Sequence, residues 1–232
     1  MRGSETLVNT GAKRSWNKSP GGESGHNDEG ASRLSKGIIE VRLDMIEIIP
    51  YQTSWPAEFQ EIASILRRGL GGLALRIDHI GSTSVPGLPA KDIIDIQITV
   101  ASLDDQVITA MTALGYTQLA GTWRDHRPPN FTGLEADWEK LMFRPPPGQR
   151  RTHTHVRAQG RANQRYALLF RDYLRAHPAT ASAYAELKRR LAQHLADPQM
   201  YPEVKDPAVD LIYLAAEDWA TITHWRLGPS DA

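Results

Sequence analysis

The sequence predicts an α/β or α+β domain whose C-terminal half is helical. Three observations predict it. A β-branched run at 93–100 alternates apolar and polar residues. Amphipathic helical stripes around 59–66 and 107–114 interleave with short strand-like runs. Beyond about residue 160 only helical periodicity remains.

Met1 to Gly37 is rich in Gly, Ser, Asn and Lys and has almost no apolar periodicity. Such a stretch cannot bury enough area to offset the entropy of ordering, so residues 1–44 are expected to be a disordered leader. Met45 opens Met45-Ile46-Glu47-Ile48-Ile49, an expected short strand. The leader reads either as a real flexible extension or as upstream read-through ahead of a start at Met45. The folded domain is expected over 45–225, with 226–232 as a flexible tail.

Pro56 suits a first helical turn, and Phe59, Ile62, Ala63 and Leu66 share one helical face. Gly69, Gly71 and Gly72 end that helix. A strand is expected over 75–80, then a loop over 81–91. In the run after it, Ile94, Ile96, Ile98 and Val100 share one face, and Asp95 and Gln97 share the other. Ser102 is the expected cap of the next helix, with Asp105 as its capping-box partner and Val107, Ile108, Met111 and Leu114 as its stripe. A strand near 116–119 and an irregular stretch over 121–137 follow. Strands over 138–144 and 152–158 flank Pro145-Pro146-Pro147-Gly148, and His153, His155 and Arg157 fall on one face of the second. Helical stripes then run from Tyr166 to Leu174 and from Tyr184 to Leu195, and Asp206-Pro207 is the expected start of the last helix.

Composition excludes several classes. The 232 residues carry 27 basic and 27 acidic side chains and no cysteine. Zero Cys removes disulfide scaffolds, zinc ribbons and thiol catalysis. No stretch approaches the ~18 apolar residues of a membrane helix, and no N-terminal run has a secretory apolar core. Neutral net charge, without a basic tract interleaved with aromatics, argues against a nucleic-acid partner. These features read as a cytoplasmic chain.

The chemistry is expected between His79 and Val100. A strand ends at Gly81-Ser82, where a glycine permits close backbone approach and a hydroxyl can reach a phosphate oxygen. Asp95 on the following strand could hold a divalent cation against that phosphate. Gly81 and Gly87 are not followed by Gly-Lys-Ser/Thr, so this is not a Walker A loop. The layout resembles the nucleotidyltransferase superfamily.

A closer resemblance lies in His79-Ile80-Gly81-Ser82-Thr83-Ser84-Val85-Pro86-Gly87-Leu88-Pro89-Ala90-Lys91 with Ile93-Ile94-Asp95-Ile96. Pro50-Tyr51 and Trp55 precede it. His153-Thr154-His155-Val156, Arg165, Phe170 to Arg175, His177-Pro178, Tyr184, Leu187-Lys188 and the Tyr201/Lys205 segment come after it. Together they resemble the GrpB family over about residues 46–219. The resemblance implies a nucleotidyltransferase-like mixed sheet flanked by helices. It also links the chain to relatives fused to dephospho-coenzyme A kinase.

The resemblance also implies roles for particular residues. Asp95 and His155 are the catalytic candidates. Gly81, Ser82, Thr83, Ser84, Lys91, Arg157 and Arg165 are candidates for phosphate or nucleotide, with Lys205 as a further cation. Asp95, Gln97, His153 and His155 are the metal candidates, for Mg²⁺ or Mn²⁺ ahead of Zn²⁺. The implied activity is nucleotidyl transfer from a nucleoside triphosphate to a small-molecule acceptor. Gln97 stands where a two-metal site wants a second carboxylate, and its amide is a weak, neutral ligand. The alternative is therefore a degenerate module that binds a nucleotide or phosphometabolite without turnover. A third reading is a metal-dependent hydrolase built on His153, His155 and Asp95.

Overall fold

The computed structural model describes residues 46–121, 123–129 and 131–232. The expected leader over 1–44 lies outside the described residues. Helix α1 (Trp55–Leu70) starts with Pro56 in its first turn and ends at Gly71, whose φ of 51° suits glycine. Strand β1 (Arg76–Ile80) follows, then a short 3-10 turn over Ser82–Ser84 and strand β2 (Ile94–Val100). Helix α2 (Asp105–Ala113), β3 (Thr117–Gln118), β4 (Leu141–Arg144) and β5 (Thr152–Ala158) complete the sheet region. The helices α3 (Ala162–Ala176), α4 (Pro178–His194) and α5 (Tyr201–Thr223) make up the C-terminal half.

The sheet has five strands in the order β1-β2-β5-β4-β3. Among these, the central β2–β5 pair is parallel and the others are antiparallel. The parallel register sets Asp95 opposite His153, Gln97 opposite His155 and Thr99 opposite Arg157. All six therefore point to one face. The opposite face carries Ile94, Ile96, Ile98, Val100, Phe143 and Val156, buried against Trp55, Phe59 and Leu66 of α1 and Met111 of α2. A separate cluster packs Val85 and Leu88 of the loop against Leu174, Ala181, Tyr184, Ala185 and Val209 of the C-terminal helices. The helical half thus leans on the glycine loop and not on the apolar sheet face.

Four expectations change. The expected strand at 45–49 is reduced, in the described residues, to one bridge between Ile49 and Ala90. Pro50 follows directly and has no N–H to extend the ladder. The cap of α2 is Asp104, whose Oδ1 accepts from the N–H groups of Gln106 and Val107. Ser102 donates to that same Asp104 carboxylate instead of capping the helix itself. Helix α5 starts at Tyr201 and runs through Pro207. A proline near a helix start removes only one internal bond, which packing of the long helix offsets. The expected flexible tail over 226–232 runs along the outer edge of β1. The Ala232 N–H donates to the Ile77 carbonyl at 3.1 Å, and the Asp231 carboxylate accepts from the His79 N–H at 2.9 Å. This covers backbone groups that an edge strand would leave unpaired. Among the described residues no helix is long and apolar enough to cross a membrane.

Candidate functional site

The polar face of the sheet has two ends. At one end Gln97 is 0% exposed, and both ends of its amide are engaged. Its Oε1 accepts from Arg157 Nη1 at 2.6 Å, and its Nε2 donates to the Gln164 carbonyl at 3.1 Å. Arg157 also donates to Asp125 from Nε at 2.8 Å and from Nη2 at 2.9 Å. Lys140 Nζ donates to Asp125 at 2.6 Å and lies 3.3 Å from His155 Nδ1. Asn163 donates to the other Asp125 oxygen at 3.0 Å. Burial alone would raise the Asp125 carboxyl, but the charges of Arg157 and Lys140 hold it well below the usual carboxylate range. Burial, with the Arg157 and Lys140 charges, keeps the His155 imidazole neutral far below its ordinary value.

The other end faces the glycine loop. Gly81 has φ +69°, and a Cβ there would run into the Asp95 side chain. The loop can approach the carboxylate only because position 81 has no side chain. His153 Nδ1 lies 3.1 Å from Asp95 Oδ1, and both side chains are partly exposed. Inside the loop, Thr83 Oγ1 lies 3.0 Å from His79 Nε2 and 3.3 Å from the Ile93 carbonyl. Ser84 donates to the Gly81 carbonyl at 2.6 Å, and Arg175 of α3 donates to the Ser84 carbonyl at 2.8 Å. These bonds shape the loop. Ser82 is different, because its Oγ accepts from Lys188 Nζ of α4 at 2.8 Å. Lys188 also donates to the Pro89 carbonyl at 2.6 Å.

Lysines gather around this point. Lys188 is 3% exposed. Burial, the repulsion of Lys205 and a smaller push from Arg189 lower its ammonium to about 7, against the pull of Asp95. Lys205 of α5 is lowered by burial, opposed by Asp206 and Asp95. Lys91 lies 4.0 Å above the Tyr201 ring. It is lowered by burial and by the charges of Lys205 and Arg151, again against Asp95. The loop, α4 and α5 therefore set three cations in the field of Asp95, with Asp206 3.8 Å from Lys205 and the rings of Tyr184 and Tyr201 beside Lys188 and Lys91. An anion fits that balance of charge better than a cation.

The expected site residues thus divide. Asp95, His153, Gly81, Ser82 and Lys91 come together at the loop. Thr83 and Ser84 are turned inward and hold the loop's shape. Gln97, His155 and Arg157 join the Asp125 network, so neither the Gln97 oxygen nor the Arg157 guanidinium is left for a metal or a phosphate. Arg165 is bound to Glu217 of α5 and lies 5.6 Å over the Trp225 ring. Among the described residues no group of three or more His, Asp or Glu side chains is placed to hold a metal ion. The donors on the sheet therefore do not fit a two-metal centre. Sequence reading missed Asp125 as the centre of the buried network. It also missed the burial of Lys188, whose one signal is its place four residues after Tyr184, on the inner face of α4.

Comparison with known proteins agrees with the fold. The family described as GrpB protein matches residues 45–214. A dephospho-CoA kinase of Mycolicibacterium paratuberculosis is 37% identical over 196 residues, which is 78% of this chain and 48% of that protein. The chain thus spans about half the length of the dephospho-CoA kinases it matches. A UPF0157 protein of Pseudomonas aeruginosa is 38% identical over 172 residues, 72% of this chain and 65% of the relative. The crystal structure of the conserved protein GrpB from Enterococcus faecalis superposes with a TM-score of 0.61 at 30% identity. It covers 75% of this chain and 99% of that one. The chain belongs to the GrpB family.

Proposed function

We propose that this chain binds the phosphate groups of a nucleotide or phosphorylated metabolite between the Gly81-Ser82 loop and helices α4 and α5, without two-metal nucleotidyl transfer. One observation carries the reading. Lys188 donates to Ser82 and feels the charge of Lys205, Lys91 in turn feels Lys205, and the carboxylates that face the three are Asp95 and Asp206. The second carboxylate that transfer chemistry wants is replaced by Gln97, whose oxygen is held by a buried guanidinium. Ser82 and the three lysines hold the anion. Gly81 lets the backbone approach it, and Asp95 with His153 bounds the site on the sheet side. The names of the mycobacterial relatives make ATP and dephospho-coenzyme A the first ligands to try.

A second reading has one observation in its favour. Asp95 is partly exposed beside the loop, as a single-cation transferase with a small-molecule acceptor would need. A thermal-shift panel separates the two. It crosses nucleoside triphosphates, dephospho-coenzyme A and adenosine with Mg²⁺, Mn²⁺, Zn²⁺ and chelator. A ligand at 100 times its Kd adds about 2.7 kcal/mol. The binding reading predicts a shift with ATP or dephospho-coenzyme A that persists in chelator, is absent with adenosine, and comes with no pyrophosphate release. Pyrophosphate release that needs a metal and Asp95 would establish the transferase instead. No shift with any phosphorylated compound would end both readings.

A further inference from the structure

Lys188 is a buried cation whose hydrogen-bond partners are neutral. Its Nζ donates to the Ser82 hydroxyl and the Pro89 carbonyl, and its own helix sets the Tyr184 ring 4.8 Å away. Among the described residues no carboxylate lies within ion-pair distance of it. The charged groups that face it from neighbouring elements are Lys205 on α5 and Asp95 on β2, with Arg189 next to it on α4. Two of these three repel an ammonium. A charge removed from water without a counterion is costly, and the chain relieves that cost by releasing the proton. An arriving anion supplies the missing counterion and makes the ammonium form favourable again.

We propose that Lys188, where it meets the Ser82 hydroxyl and faces Lys205, is the centre of a subsite for a phosphate or sulfate dianion, filled by the anion and one proton together, the proton going to Lys188. This rests on the phosphate-binding function proposed for the loop and specifies how the site selects its ligand. The burial of the lysine and its ammonium value near 7 agree with it. Dianion affinity then falls about tenfold for each pH unit above the free lysine's value. A neutral ligand gains nothing there, and a monoanion gains less. Sulfate is the cleanest probe, because it does not itself take up a proton near neutral pH.

The experiment is calorimetric titration of the full chain with sodium sulfate between pH 6 and 9, in buffers of different ionisation enthalpy. Near pH 8, wild type should take up close to one proton per sulfate. Lys188→Arg should bind with affinity independent of pH, because a guanidinium stays charged. A second readout uses unmodified protein. The Lys188 side-chain resonances, followed by nuclear magnetic resonance across pH, should report a free amine near neutrality that sulfate converts to the ammonium. Sulfate binding without proton uptake, or uptake that survives in Lys188→Arg, overturns the coupling and leaves phosphate binding standing. A Lys188 that stays an ammonium up to pH 9 in the absence of sulfate also overturns it, whether or not the variant folds. No binding of sulfate at any pH overturns the coupling, and if ATP and dephospho-coenzyme A also fail to bind, the functional reading falls with it.

Discussion

The two ends of one sheet face treat charge in opposite ways. Around Asp125, two buried cations, an amide and a neutral histidine are matched to one carboxylate and one glutamine oxygen. Around Lys188, three lysines share Asp95 and Asp206, and the most buried of them, Lys188, faces the neutral oxygens of Ser82 and Pro89. The first arrangement gives its carboxylate and both cations partners without a ligand, with the Asn163 Oδ1 left unpartnered, and such a buried network specifies structure. The second leaves a buried lysine without a counterion, a cost that either proton release or an arriving anion relieves. The histidines on β5 repeat the contrast two residues apart. His155 belongs to the network, and His153 faces the open carboxylate of Asp95.

The largest effect should come from breaking the Asp125 end. Asp125→Ala leaves Arg157 and Lys140 buried without a counterion and should cost about 3–5 kcal/mol in urea unfolding. A loss under about 1 kcal/mol would mean that the network is open to water. Lys188→Met should do the reverse at the other end. It removes an unpaired buried cation and should stabilise the ligand-free chain by about 1–3 kcal/mol while abolishing sulfate binding. A lower Tm together with intact binding would contradict the contrast.

Gly81→Ala sharpens the comparison by pushing the loop off Asp95. The positive φ and the contact with the carboxylate together should cost about 1–3 kcal/mol and weaken anion binding more than they disturb the Asp125 network. Nuclear magnetic resonance shifts at the two ends would report the difference. The smallest effect is a pH dependence. Burial lowers His79 to about 4, against the pull of Asp95. Between about 4 and 6.5 the unfolded chain binds the proton and the folded chain does not. Stability is therefore complete above 6.5 and is lost as pH falls. From about pH 7 to 5.5 this one group should remove about 1 kcal/mol, and His155 acts in the same direction. In His79→Gln the drop in stability over that range should shrink by the same amount, as read from urea melts at the two pH values.

Period-two alternation was enough to put Asp95 with Gln97, and His153 with His155 and Arg157, each on one strand face. It did not pair the strands. That Asp95 meets His153 while Gln97 meets Arg157 follows from the parallel register, which depends on a crossover of roughly fifty residues. Asp125 was invisible because it sits in a segment without periodicity, and its partners lie far along the chain. Lys188 was hidden for a related reason. Helical spacing puts it beside Tyr184, but its burial depends on how α4 packs on the loop. Pro207 misplaced the start of α5, since a proline marks a helix start only on average. The loop itself was legible, because glycine next to a strand end has few uses other than close approach.

Amide hydrogen exchange with and without ATP tests the division of the sheet face most directly, because it asks where along the chain a phosphate ligand acts. Added protection should appear in the 81–91 loop, in α4 around Lys188 and in the first turns of α5 near Lys205, with β4 and the 123–129 segment unchanged. Protection centred on Asp125 and β4, with none at the loop or at Lys188, would contradict the assignment of the lysine end as the ligand site.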